Sequence, residues 1–519
     1  MRRNRRKTLQ RFTSSISKLD IFSCSATQCI MKKLLALLLT ILLPALHFAQ
    51  ANTANQSLVL TDVTVIDMAG APPKSDQTVI ITSDRIVALG KSSEIVVPQN
   101  AFVVEATGKF LIPGLWDMHI HTVYDKADDT EKTLLPLFIA NGITGIRNMG
   151  SINSLEQINK WRKASAKGKL TAPYLVTGQQ IDGFGGIDVP FVYRVKSESE
   201  ARATVRRIKR EGFDFVKVYS RLSREAYFAV ADEAKGLGIP LAGHVPTAVN
   251  NGEASDSGHK SIEHLEGMLF SVSSNESRIR REWLEYEAKI AALNGKPAPP
   301  ELEAQQFRLI TDSIDTYDAE KATRLYARFV QNGTYHCPTL VIHQAWGSLS
   351  NPAFFNDARL RYVPTRQSKS VNTYLDAARS WSAERKAITE QLFQYRLRMV
   401  GEMNRAGVKL LAGTDTAYGY PVGGFALHDE LTLFVQAGLS PLEALQTATT
   451  NPAKFLGLGK SLGTIEAGKL ADLVLLDANP LDDINNTKKI FAVVINGRYM
   501  SKGALQKMLA SASRSAKKR

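Results

Sequence analysis

The apolar positions along the chain fall into two textures. Residues 58–104 give short alternating runs, "LVLTDVTVIDM", "TVIITSDRIVALG" and "AFVVEATG", with turn residues between them. Period-two alternation sets one face of each run against a core, and the turns predict antiparallel pairs. The same texture returns at 463–500, in "GTIEAGKLADLVLLDANP" and "KIFAVVINGRYM". Between the two stretches lie eight further strand-like runs: "GLWDMHIHT", "GITGIRNM", "PYLVTGQ", "DFVKVYS", "IPLAGHV", "KSIEHLE", "YHCPTLVIH" and "VKLLAGTDT". Helical stretches such as Glu198–Glu211 and Arg224–Gly236 separate several of them. Eight strands alternating with helices predict an α/β chain folded as a (β/α)8 TIM-like barrel. The flanking runs predict a small composite β-sandwich formed by both ends of the chain.

The expected organisation is a leader over 1–51, the sandwich from 52–112 and 460–500, the barrel over 113–459, and a basic tail over 501–519. Residues 271–330, rich in Arg, Glu, Lys and Ala and containing "KPAPP", predict a helical insertion after the sixth strand. A second long segment, about 343–400, follows the seventh. Loops after barrel strands build the functional face, so each segment is either a lid or plain surface elaboration.

The leader changes how the charge is read. "MKKLLALLLTILLPALHFAQA", residues 31–51, has two lysines, an apolar run and a small-x-small ending at Ala49-Gln50-Ala51. This is the pattern of a secretory signal peptide, and it predicts an exported protein, periplasmic or extracellular. The run is too short, with Pro44 and His47 inside it, for a stable span, which needs about 20 residues. Met31 is then the expected start, with 1–30 a misplaced one. The formal charge of +15 is concentrated at the ends. Residues 1–51 hold nine Lys/Arg and one acid, and 501–519 hold six Lys/Arg and no acid, leaving 50 basic against 49 acidic residues between them. No basic face is left to bind nucleic acid, and the tail is expected to be a solvated end. Cys24 and Cys29 fall in the leader, so Cys337 alone remains and no internal disulfide can form.

The candidate chemistry sits at strand ends. In "DMHIH", His119 and His121 are two apart and share a strand face, so both imidazoles can meet one ion. His244 ends "IPLAGHV", His264 falls in "KSIEHLE", and Asp415 falls in "VKLLAGTDT". The C-terminal strand ends of a barrel are where such groups converge. Lys217 lies inside the apolar strand "DFVKVYS". Burial and nearby cations lower a lysine pKa, by up to about 3–5 units, and a neutral amine can take up carbon dioxide as a carbamate. The alternative is a lysine paired with Asp214 or another acid at the strand end. Among other residues, Asp117 shares the face of His119 and can orient a ligand. His336 and His343 flank the seventh strand as structural groups or as pocket residues, His428 supports a ligand or packs on the last helix, and His259 reads as a surface turn.

The order HxH, Lys, His, His, Asp resembles the amidohydrolase superfamily. "LIPGLWDMHIHT", "AGHVP", "IEHLEG", "LLAGTDT", "GLSPLEALQTATTNPAKFLGL" and "GTIEAGKLADLVLLDANPL" are similar to its imidazolonepropionase-like and prolidase-like (Xaa-Pro dipeptidase) branch. The resemblance implies two divalent metal ions, Zn2+ best suited, held by His119, His121, Lys217, His244, His264 and Asp415, with carboxylated Lys217 bridging them. It further implies a metal-bound hydroxide that hydrolyses a C–N bond in an amide, dipeptide or cyclic amide, with Asp415 as the catalytic acid–base. Tyr219 and Arg147 are the expected substrate contacts, although Asn148 follows Arg147 where the family often has Asp. Small-molecule substrates and homo-oligomers are common among such relatives, and no stable membrane insertion is expected after signal cleavage. Two other readings stay open: a mononuclear cyclic-amide hydrolase or deaminase of the same superfamily, and a binding protein that keeps the barrel without catalysis.

Overall fold

The computed structural model describes residues 56–122, 130–185, 191–347, 356–365, 376, 378–416 and 420–518. The leader and signal-peptide expectation, over 1–51, lies outside these residues, as do parts of the 343–400 segment. Everything described belongs to one compact unit, Ala54–Arg519.

The chain opens with five strands, β1 (Leu58–Val65), β2 (Lys74–Thr82), β3 (Arg85–Lys91), β4 (Phe102–Glu105) and β5 (Phe110–Pro113). β1, β2 and β3 form the expected antiparallel meander. β4 and β5 then lie along β1 in parallel, Leu58 opposite Phe102 and Thr64 opposite Phe110. The turn residues signal reversals, not the crossover that follows β3, so the purely antiparallel expectation is corrected here.

Eight strands of the barrel sheet follow: β6 (Leu115–Ile120), β7 (Ile143–Asn148), β8 (Tyr174–Asp182), β9 (Val192–Arg194), β10 (Phe215–Val218), β11 (Leu241–Gly243), β12 (His259–Glu263) and β13 (Tyr335–Cys337). Seven run parallel in the order β6-β7-β8-β10-β11-β12-β13, while β9 adds to the end of β8. Residues 408–416 fill the remaining gap through backbone bonds to both neighbours. Leu411 N donates to His336 O (2.8 Å) on β13, and Met118 N on β6 donates to Ala412 O (2.8 Å). The eight predicted runs are therefore the eight staves of a TIM-like barrel. The helices Glu198–Glu211 and Arg224–Gly236 appear with the predicted bounds, capped by Ser197 and Ser223. "YHCPTLVIH" is a strand only to Cys337. Pro338 has no N–H to extend a ladder, and Glu430 accepts from Leu340 N (2.9 Å) and Val341 N (2.7 Å), starting the helix Leu340–Gly347.

The chain returns to the first sheet through β14 (Leu473–Leu476), β15 (Ile490–Ile495) and β16 (Arg498–Ser501). β14 pairs antiparallel with β5, Leu473 opposite Pro113 and Leu476 opposite Phe110, so both ends of the chain build one sheet. Alternation along this seam serves two cores. Leu111, Leu473 and Leu475 join the core of the end sheet, while Ile112, Val474 and Leu476 join that of the barrel.

The insertion after the sixth strand is helical, Glu276–Ala292 and Pro300–Asp315, followed by Ala319–Asn332. The tail is not a loose solvated end. It forms the helix Lys502–Lys517, in which Ala516 is buried, Leu505 clusters with Ile139, and Ala512 clusters with Leu137 and Tyr362. Among the described residues no helix is long and apolar enough to cross a membrane.

Closure of the barrel depends on Gly413. A Cβ there would press into Cys337 Sγ and sit 2.8 Å from both His119 N and His119 Cβ. Gly413→Ala should destabilise the fold by about 1–3 kcal/mol. Urea unfolding should show a lower midpoint at unchanged m-value, and an unmoved midpoint would refute the close approach.

Candidate metal centre

Asp117, His119 and His121 alternate on the inner face of β6, and the 408–416 segment carries Asp415 beside them. Asp117 fixes this juxtaposition. Its carboxylate accepts from Thr414 N (3.1 Å), Thr414 Oγ1 (2.6 Å) and His119 N (3.3 Å). Asp117 thus positions backbone rather than an imidazole. Burial outweighs these bonds and raises Asp117 to about 7.

Each imidazole is oriented through Nδ1. His119 Nδ1 meets Glu263 Oε2 at 2.7 Å, and His121 Nδ1 meets the Gly150 carbonyl at 2.6 Å. His264 Nδ1 meets Thr339 Oγ1 at 2.7 Å, and that hydroxyl donates onward to Pro338 O (2.8 Å). Carboxylate, carbonyl and committed hydroxyl can only accept, so these three Nδ1 atoms carry the proton. Their Nε2 atoms are therefore lone-pair acceptors. His244 Nδ1 pairs with Ser220 Oγ (2.7 Å), and its buried Nε2 has no hydrogen-bond partner.

These acceptors converge on another acceptor. Asp415 Oδ1 lies 3.4 Å from His119 Nε2 and 3.1 Å from His121 Nε2. The ring of His264 is 4.5 Å from that of His119 and 4.9 Å from that of His244. Ligand atoms of His119, His264 and Asp415 all lie within 4.8 Å of one another. Two ligands held 2.0–2.1 Å from one ion at the tetrahedral angle stand about 3.4 Å apart. Burial lowers the pKa of all four imidazoles, His264 to about 4, so they stay neutral. Burial acts to raise Asp415, but His264, His121 and Lys217 outweigh it and hold the carboxylate ionised. Neutral lone pairs facing an anion in a dry interior repel unless a cation lies between them, and these residues fit one.

Lys217 points into the same space. Its Nζ is 3.5 Å from His119 Nε2 and 5.3 Å from the Tyr219 ring centroid. Burial lowers it to about 8, against the pull of Asp415 and Glu263. The Asp214 alternative fails, because Asp214 binds Arg162 and Thr177 N at the other end of β10. Tyr219 stacks on His244 with centroids 4.0 Å apart, inside the predicted site.

Arg147 is not at the mouth. It is fully buried below the imidazoles, donating to Met118 O (2.5 Å), to both Glu263 oxygens (2.9 and 3.0 Å) and to Ser261 Oγ. It neutralises Glu263 rather than facing a substrate. The sequence reading passed over Glu263, although it directly precedes His264 and shares the inner face of β12 with Ser261. His259 is no surface turn. It is buried on β12, between Tyr227 Oη (2.9 Å) and Ser261 O (3.0 Å). His343 Nε2 meets the His264 carbonyl at 3.1 Å, His428 bridges Thr487 Oγ1 and Asn141 O, and His336 packs on Phe329. A second cluster, His119, Glu263 and Cys337, lies deeper. Its carboxylate is already engaged by Arg147, and burial raises the Cys337 thiol.

His264 (φ 59°), Thr339 (φ 50°) and Asp415 (φ 53°) are all left-handed. Such backbone costs of order 1–3 kcal/mol per residue and gathers where a site is held open for a ligand. Glu263→Gln should leave Arg147 buried without its countercharge and loosen the His119 tautomer. A loss of about 3–5 kcal/mol in stability and a 10- to 100-fold weaker hold on Zn2+ are expected, measured by urea unfolding and chelator competition. Wild-type values in both would refute this role.

Residues 382–500 match the Amidohydrolase family. A segment of 70 residues is 40% identical to an imidazolonepropionase from Vibrio campbellii, covering 13% of this chain and 17% of that one. The match thus spans less than a fifth of that relative's length. In fold the chain resembles bottromycin amidohydrolase (TM-score 0.68, 20% identity, 90% of this chain and 91% of that one). It also resembles a Xaa-Pro dipeptidase with bound methionine in the active site (TM-score 0.61, 20% identity, 86% of this chain and 100% of that one). The chain is thus similar to the Amidohydrolase family over residues 382–500, and it shares the fold of these solved structures over most of its length.

Proposed function

We propose that the protein is an exported, metal-dependent hydrolase of carbon–nitrogen bonds in amides or dipeptides. The observation that carries this reading is the convergence on Asp415 of imidazole Nε2 atoms whose Nδ1 atoms are already engaged. His119, His121 and Asp415 would hold one divalent ion, His244 and His264 a second, and carboxylated Lys217 would join the two. Imidazole and carboxylate ligands suit Zn2+ best. Bound there, the ions would make water nucleophilic near neutral pH and polarise a carbonyl.

The chain's own groups have separate tasks. Asp415 is ionised and can take a proton from attacking water. As the C–N bond breaks, it returns that proton to the leaving nitrogen, acting as base and then acid. Tyr219 keeps its phenol proton, because burial raises its pKa, and so offers an O–H donor beside His244. Export rests on the signal-like residues 31–51, and the dipeptide class on the prolidase-like motifs and fold.

The chain, prepared with bicarbonate and divalent metals, should hold two ions per molecule by plasma mass spectrometry. Lys217→Ala should hold about one and lose most activity on a dipeptide and acyl-amino-acid panel, on the order of 100-fold or more. One ion in the wild type, or full turnover by Lys217→Ala, would rule out the bridging role. Asp415→Asn should lower kcat by at least about 100-fold, the range of a general acid–base group. An unchanged kcat would remove Asp415 from proton transfer.

A further inference from the structure

The helix Ala383–Arg405 carries a charge where its neighbours are apolar. Phe393, Met399, Val400 and Met403 are buried on it, and Arg396 lies on the same face, one turn from Phe393 and Val400. Arg396 is half-buried, yet among the described residues its guanidinium has no hydrogen bond or ion pair. Such a group is costly to bury unpaired, so its position suits an anionic partner that the described residues do not supply by a hydrogen bond or ion pair.

Packing brings the helix that carries this guanidinium toward the metal centre. The helix Leu340–Gly347 leaves the barrel next to Thr339, the residue that orients His264. Gly347 at its far end packs on the next helix, since a Cβ there would be 3.5 Å from Thr389 O and 3.9 Å from Phe393 Cβ. His343 lies one turn back toward the barrel and meets the His264 carbonyl. Arg396 lies one turn on from Phe393, and its charge acts on both His343 and His264. Glu266 also feels this charge, but no ion pair joins them. Arg147, which lies below the rim, is committed to Glu263.

We infer that Arg396 is the residue that binds a substrate carboxylate, so the preferred substrates are N-acylated amino acids or dipeptides with a free C-terminal carboxylate. This deepens the hydrolase reading and rests on it. The scissile carbonyl would lie at the imidazoles and the carboxylate on the side of the 383–405 helix. Arginine suits this task because its planar fork pairs with both carboxylate oxygens.

The test compares substrates as well as variants. Kinetics on N-acetyl-amino acids and dipeptides would be set against the same compounds as C-terminal carboxamides. Arg396→Met should lower kcat/KM for the free carboxylates on the order of 10- to 100-fold, mainly through KM, the worth of a hydrogen bond to a charged group. The carboxamides should change by less than about twofold. Arg396→Lys, which keeps the charge without the fork, should recover part of the loss. Equal losses on both substrate sets, or none on the carboxylates, would overturn the inference and leave the hydrolase reading standing. Calorimetric binding of free amino acids separates the opposite case. Binding weakened by Arg396→Met, in a chain that turns over none of the panel, would keep the carboxylate site and remove the hydrolase reading. No turnover and no binding by the wild type would remove both.

Discussion

Beneath the cluster of imidazoles, a carboxylate and a guanidinium are buried together, and the geometry above them depends on that pair. Glu263 on β12 receives Arg147 from β7 and hydrogen-bonds His119 on β6. Three strands of the barrel are tied at one point. A carboxylate alone in that interior would take up a proton and cease to be an acceptor. Burial raises the Glu263 pKa and Arg147 opposes that rise, while Glu263 engages Nδ1 of His119 and leaves Nε2 facing upward. The rim chemistry is thus set one layer below the rim. The pair need not add net stability, since desolvation offsets much of its attraction. Its evident effect is orientation.

The second constraint is electrostatic crowding. Four imidazoles, a lysine and an aspartate share a space with little water. Burial favours the neutral form of each base, whereas the Asp415 pKa is lowered, against burial, by the groups that face it. Left-handed backbone at His264, Thr339 and Asp415 adds conformational cost. The barrel carries this cost through its apolar core and through bonds such as Asp117 to Thr414, which clasp β6 to the closing segment.

Much of this was legible from pattern. Period-two alternation put Asp117, His119 and His121 on one face and paired Lys217 with Tyr219. The helical stretches at 198–211 and 224–236 were read with the bounds that they have. Alternation gives the face of a strand but not the depth along the barrel axis. Arg147 was therefore read as a rim residue when it lies a layer below. Glu263 went unread for a related reason, since an acid beside a ligand histidine at a strand end looks solvated. His259 looked like a turn because "DSGHK" is polar, yet Tyr227 and the Ser261 carbonyl satisfy it inside. The tail looked solvated because its charges dominate. Its few apolar positions recur at helical spacing and find a surface formed by residues distant in sequence.

The seam between β5 and β14 joins residues about 360 positions apart and gives each strand its partner. During synthesis, β5 must wait with one edge unpaired until nearly the whole chain has been made. Pairing this distant carries a large loop-closure entropy and belongs to the slow end of folding. The end sheet is therefore complete only once its last strands are made, and a chain cut short before residue 473 would expose Leu111 and an open strand edge, a template for self-association.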